Sequence, residues 1–220
     1  KGVWLKKDGL DTQAFPKTDL SVFGELAMDF ELHEGDFQFS MPIGIEMVND
    51  VITKPYSVKS QGQHDLPADH DESYLMLVDR HGKWRVNTMI KGFATHVKGF
   101  ASSYSNTGDI ILIGKSMKEM MHAFNELKQM NGGIVLVEDG QVVVKIPLTL
   151  GGSVYDGDVN ALIPLEVELK EALKQRGYHH SDAIYTLLFL QSTHLPYVRI
   201  TTRGIFDVMK NTVMLPAVMR

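Results

Sequence analysis

Residues 109–146, DIILIGKSMKEMMHAFNELKQMNGGIVLVEDGQVVVKI, constrain the fold more than any other part of the chain. Asp109–Gly114 is an apolar run bounded by glycines, the pattern of a strand covered on both faces. Ser116 and Glu119 stand at capping-box spacing, in which each side chain satisfies the other's unpaired backbone N–H. Met117, Met120, Met121, Phe124, Leu127 and Met130 then recur at helical spacing, and Asn131-Gly132-Gly133 stops the helix. Two apolar runs around Asp139-Gly140 read as a hairpin. This order places a helix on a sheet. The expected class is α+β, or mixed α/β, with helices packed on a mixed sheet.

The flanking sequence extends the sheet. GVWLKKDG (2–9) reads as a short strand closed by Asp8-Gly9, and residues 10–21 as a polar, Pro-containing linker. LAMDFEL, DFQFSM, IGIEMVND and VITKPYSV, between 26 and 58, read as strands with turns at Glu34-Gly35 and Asn49-Asp50. Residues 59–73 read as an exposed acidic loop, and YLMLVDR as a strand turning at His81-Gly82. Residues 84–104 read as two strands broken at Gly92 and Gly99. A second helix is expected over about 161–176, with Leu165, Leu169, Ala172 and Leu173 on one face. The stretch after it is apolar and then strand-like. A boundary at 21/22 separates a β segment with its linker (1–21) from the main domain (22–220).

Composition narrows the function classes. The 220 residues, 44% hydrophobic and 22% charged, suffice for one sizeable core. The net charge of -5 comes from 22 basic and 27 acidic residues without a basic block, so nucleic acid and anionic membrane are poor partners. No apolar run reaches the roughly 18 to 20 residues a membrane span needs, and no cleavable signal peptide opens the chain. The absence of cysteine excludes disulfides, thiolate zinc and thiol catalysis, and fits a reducing cytoplasm. Lys1-Gly2-Val3-Trp4, without an initiator methionine, is how a piece of a longer protein opens.

Residue types that could carry chemistry are scattered. A phosphate cradle needs converging N–H groups at a helix N-terminus, but Gly108 precedes a strand. Gly114-Lys115-Ser116 has one glycine and no P-loop spacing, so it reads as a turn and N-cap. His64, Asp65, Asp69, His70, Asp71 and Glu72 are metal-ligand types, yet their spacing matches no metal motif and reads as a solvated loop. His179-His180 follows a helix end, where a cation favours the dipole. Ser102 or Ser103 with His96 or His81 and Asp109 forms a triad only on paper, without a GxSxG elbow. The methionine-rich face of the first helix reads as core. Taken alone, these residues make no self-sufficient active site.

Several stretches together resemble the C-terminal domain of adenine deaminases of the amidohydrolase superfamily, nearest to a divergent branch from bacilli. They are DESYLMLVDRHGKWRVNTMIKGF, then GFASSYSNTGDIILIG through to IPLTLGG, and LPYVRITTRGIFDV. IEMVNDVITKPYSV and KGVWLKKDG are similar to the segments leading into that domain. The resemblance implies that the catalytic residues sit on a (β/α)8 barrel encoded before this segment. Manganese, zinc or iron would be held there, with neither a metal ligand nor a catalytic residue in these 220 residues. The opening strand would then belong to the small β domain beside that barrel, which becomes the partner within the same protein, and a homodimer is implied. Arg80-His81 matches the family's Arg-His. The family's His-Asp-Ser-His-Asn-like run is replaced by Tyr104-Ser105-Asn106-Thr107-Gly108-Asp109, without either histidine. Arg80, His81, Ser102, Ser103, Asn106 and Asp109 are accordingly the substrate-proximal candidates. A stand-alone small-molecule-binding or regulatory module, using loop 102–109 with Arg80 and His81, is the second reading.

Overall fold

Alternation along three central strands decides the architecture. The computed structural model describes residues 19, 22, 26, 28–39, 42–59 and 65–220. The strand expected at 2–9 and nearly all of the linker at 10–21 lie outside them. In chain order the elements are β1 (Ile43–Met47), β2 (Thr53–Ser57), β3 (Glu72–Val78), β4 (Trp84–Lys91), β5 (Gly99–Ser102), β6 (Ile110–Gly114) and α1 (Met117–Gln129). Then follow β7 (Gly133–Glu138), β8 (Gln141–Pro147), α2 (Val159–Gln175), α3 (Ala183–Phe189), β9 (Val198–Thr201), β10 (Gly204–Asp207), β11 (Thr212–Pro216) and β12 (Val218–Met219).

The main sheet runs β2-β1-β4-β3-β6-β5-β7-β8, with β12 also on β4. β1 and β4 pair in parallel and the other strand pairs of this sheet among the described residues are antiparallel, so the sheet is mixed, as expected. Every residue of β3, β5 and β6 is buried. Leu75, Leu77, Ile111, Ile113, Ile134 and Leu136 face one core, which α2, α3 and the sheet β11-β10-β9 close. Their neighbours Tyr74, Met76, Val78, Ile110, Leu112, Val135 and Val137 face a second core under α1 and the residues Leu26, Met28, Leu32, Phe37 and Phe39. The two-residue period thus generates three layers.

Two runs read as strands are irregular. Residues 28–33 are coil and Glu34–Asp36 is a single 3-10 turn. Leu26, Met28, Leu32, Phe37 and Phe39 are buried because they plug the α1 face of the sheet, which imitates strand alternation. Their backbone is satisfied by side chains: Asn87 donates to Asp36 and Gln38 carbonyls at 2.6 and 2.9 Å, and Lys128 donates to Phe30 at 2.9 Å. Residues 93–98 are also irregular, and α3 lies in the run read only as apolar.

Helix α1 begins at Ser116, whose hydroxyl accepts from the Glu119 N–H at 3.5 Å. The reciprocal half of the capping box is absent. Glu119 instead accepts the Gly140 N–H with both oxygens, at 3.1 and 3.2 Å, and ties α1 to the β7–β8 turn. Asp139 and Gly140 both have positive φ, 53° and 73°, as a two-residue primed turn needs. Gly99 opens β5 for a packing reason, since a Cβ there would lie 2.2 Å from the Glu119 carbonyl oxygen.

At the far side, Asp50 in the β1–β2 turn docks α3. It accepts from the Tyr178 hydroxyl at 2.7 Å and from the Ser181 and Asp182 N–H groups at 3.1 and 2.8 Å. Burial opposes ionisation of Asp50, but these donors outweigh it and hold the carboxyl down to about 2. An acid lowered from 3.8 adds stability above that value and loses it as the pH falls through about 2.

Two outcomes are expected. Gly99→Ala lowers stability by about 1–3 kcal/mol, because backbone rather than a flexible side chain must give way; an unchanged urea midpoint would contradict this. Asp50→Asn flattens the fall of the melting temperature between about pH 4 and 2. Parallel melting profiles for the two proteins would refute the role given to this carboxylate.

Candidate functional site

Antiparallel pairing of β3 with β6, in register from Tyr74↔Gly114 to Val78↔Ile110, brings the residues after one strand to those before the other. Arg80 and Asp109 meet there. The Arg80 backbone N–H donates to Asp109 Oδ1 at 3.4 Å, and its guanidinium Nη2 donates to the Gly151 carbonyl at 3.3 Å. Gly108, with φ of +76°, leaves room for this guanidinium; a Cβ there would lie 3.0 Å from Nη1.

Asp109 is buried, and burial raises its carboxyl above the ordinary range, against the pull of the Thr107 hydroxyl and the Arg80 N–H. The Thr107 hydroxyl donates to Asp109 Oδ2 and itself accepts from Gln191 Nε2 at 2.8 Å. Ser105 donates to the Asp109 carbonyl at 2.8 Å.

The serines are structural. Ser102 Oγ accepts the Tyr104 N–H at 3.0 Å and donates to the Tyr104 carbonyl at 3.2 Å. Ser103 Oγ accepts the Gly133 N–H at 2.8 Å and donates to the Gly152 carbonyl. It stands where the backbones of Gly132 and Gly152 cross, so close that a Cβ on Gly132 would lie 2.5 Å from the Gly152 Cα. The two Gly-Gly pairs are thus one contact.

Of the six candidates, the structure joins Arg80 to Asp109 directly and carries Ser103 to the same glycine loop, Gly151-Gly152. His81 and Asn106 are exposed at neighbouring turns, and Ser102 is turned toward its own strand end. The paper triad is not assembled. His96 lies beyond the other end of β6, its N–H donating to the Arg176 carbonyl, and both serine hydroxyls are committed to backbone. Thr107, Gln191, Gly151 and Gly152 were missed, because no local spacing links residues 84 positions apart.

The other motifs resolve into structural roles. Lys115 is buried, donates to the His70 and Glu72 carbonyls at 2.6 and 2.7 Å, and is lowered by burial to about 8. In the acidic loop, Asp65 caps α1 through the Met117 N–H at 3.0 Å, and Asp71 pairs with Lys91 at 2.8 Å. His64 lies outside the described residues. Among the described residues no three His, Asp or Glu side chains converge to hold a metal ion. The cation at the α2 C-terminus is Arg176, bonded to the Ala172 carbonyl at 2.9 Å, and not the expected His179-His180. His180 instead packs edge-on against Tyr178. Among the described residues no helix is long and apolar enough to cross a membrane.

Comparison with known families is decisive on kinship. The profile of the adenine deaminase C-terminal domain matches residues 49–212. The chain belongs to the adenine deaminase C-terminal domain family. This domain is 51% identical, over its whole length, to "Putative adenine deaminase YerA" of Bacillus subtilis, of which it covers 38%. It is 50% identical to the protein of Halalkalibacterium halodurans named "Putative adenine deaminase", with the same coverage. To "Adenine deaminase" of Shewanella halifaxensis it is 27% identical over 84% of this chain and 31% of that protein. The domain therefore spans less than two fifths of the length of these curated relatives.

The Ser103 bridge is the most exacting element of the loop. Ser103→Ala orphans the Gly133 N–H and should cost about 1–3 kcal/mol, the desolvation penalty of an unpaired buried group. Denaturant unfolding within a few tenths of wild type would show that the bridge is dispensable.

Proposed function

We propose that this chain is the C-terminal accessory domain of an adenine-deaminase-like amidohydrolase and is non-catalytic on its own. The observation that carries the reading is that the domain profile fills residues 49–212, while relatives matching the whole chain run on for most of their length beyond it. Hydrolytic removal of the exocyclic amine of adenine, or of a related purine, belongs in this reading to a (β/α)8 barrel of the same polypeptide. Manganese, zinc or iron would serve there as Lewis acid and activator of water. The described residues of this domain do not fit such an ion: no three of their His, Asp or Glu side chains converge, and in the acidic loop Asp65 caps α1 and Asp71 pairs with Lys91.

The domain's contribution is shape. Ser102, Ser103 and Asp109 hold the 102–109 loop rigid, and Arg80, His81 and Asn106 are the polar groups it offers toward the mouth of the barrel. Loss of the family's two histidines from 104–109 removes titratable groups from that offer and points to a purine other than adenine, or to weaker use of adenine. The parent is a cytoplasmic homodimer in this reading.

Purified 1–220, given adenine with manganese, zinc or ferrous iron, should release no ammonia above the metal-only control. Ammonia release that is abolished by a chelator would overturn the proposal.

A further inference from the structure

Three side chains from distant parts of the chain form one hydrogen-bonded line, buried at both ends. Asp109 and Gln191 are 5% and 3% exposed. Gln191 Nε2 donates to the Thr107 hydroxyl at 2.8 Å, and that hydroxyl donates to Asp109 Oδ2. The Arg80 backbone N–H reaches Asp109 Oδ1 at 3.4 Å. Among the described residues Gln191 Oε1, the other end of the same amide, is buried without a partner.

The orphaned oxygen follows from the charge at the far end of the line. An ionised carboxylate can only accept, so the hydroxyl must donate to it and take its own hydrogen from the amide nitrogen. The amide oxygen is then turned away, at the cost of an unanswered buried acceptor. A protonated Asp109 reverses each step: its O–H donates to Thr107, and the hydroxyl donates to Gln191 Oε1. The amide turns over by about 180°, as the bonding around it dictates.

We propose that Asp109, Thr107 and Gln191 form a relay whose hydrogen-bond direction reverses when Asp109 takes up a proton, coupling the 102–109 loop to the segment after α3. The inference goes beyond the reading above and holds whatever lies against the loop. The surroundings poise the carboxyl for it. Burial and the Asp79 carboxylate favour the protonated form, whereas the Thr107 hydroxyl and the Arg80 N–H and guanidinium favour the ionised one. Burial is the largest of these and raises the group above its ordinary 3.8. On the same turn the Lys83 N–H donates to Asp79 Oδ2 at 3.0 Å, and His81 is exposed. The remaining neighbours, the Gly151 carbonyl on Arg80 and the Ser105 hydroxyl on the Asp109 carbonyl, do not titrate. An acid raised in the fold opposes folding while it is charged, and that cost is relieved as the pH falls through the raised value toward 3.8.

NMR of isotope-labelled 1–220 tests the relay. The Asp109 side-chain carbon should titrate with a midpoint above 3.8. The Gln191 side-chain amide signals, assigned by their loss in Gln191→Leu, should shift with that same midpoint. In Asp109→Asn the new amide donates to Thr107 as the protonated acid would, with its oxygen held by the Arg80 N–H. The Gln191 signals should then sit at their low-pH position even at neutral pH. Thr107→Val should leave them flat while Asp109 still titrates. Gln191 signals that stay unmoved through the Asp109 midpoint would overturn the relay, as would an Asp109 midpoint at or below 3.8. Coupling that survives Thr107→Val would overturn it too.

Discussion

The architecture depends on a contact in which two backbones touch with no side chain between them. Helix α1 lies directly on β5, and the Cα of Gly99 faces the Glu119 carbonyl with no room for a methyl group. Gly114 repeats this at the end of β6, where a Cβ would lie 2.2 Å from the Lys98 carbonyl oxygen. Such an approach brings Met120, Ala123, Phe124 and Leu127 down onto the outward residues of β5, β6 and β7. It also sets the Glu119 carboxylate against the β7–β8 turn, so one glycine contact fixes helix, strand and hairpin together.

The same economy shapes the candidate site. Its loop has few charges; its serine hydroxyls are answered by backbone and Thr107 by side chains. Ser103 bridges two glycine segments, Ser105 and Thr107 close the loop onto Asp109, and Gln191 reaches in from beyond α3. Arg80 is part of this bracing, through Gly151 and Asp109, whereas His81 on the β3–β4 turn and Asn106 on the loop are left exposed.

Legibility followed the range of the interaction. β6, α1 and the β7–β8 hairpin were readable because their signals are a few residues wide: a bounded apolar run, a cap and an Asp-Gly pair. In the runs at 26–32 and 36–41 the described residues 28–38 form no strand; Leu26, Met28, Leu32 and Phe37 are buried because they plug a sheet face. Helix α3, with seven residues, is too short for a 3.6-residue period to declare itself, and its Asp182 cap is an isolated signal. At the site, Arg80 and Asp109 were named by resemblance, yet their partners Gly151 and Gln191 come from stretches with no local mark.

By itself the sequence determined the class of fold, the doubly covered strand at 109–114, the helix and hairpin that follow it and the family to which the chain belongs. Those properties reside in short periodicities and in fixed turn chemistry, which neighbouring residues set on their own. Only the tertiary structure decided that Glu119 serves the hairpin and not its own cap, that two Gly-Gly pairs form one crossing, and that Val159, Ile163 and Val167 of α2 are left exposed. Each of these depends on which distant backbone arrives within about 3 Å, the reach of a hydrogen bond, and chain closure over such separations leaves no trace in local sequence.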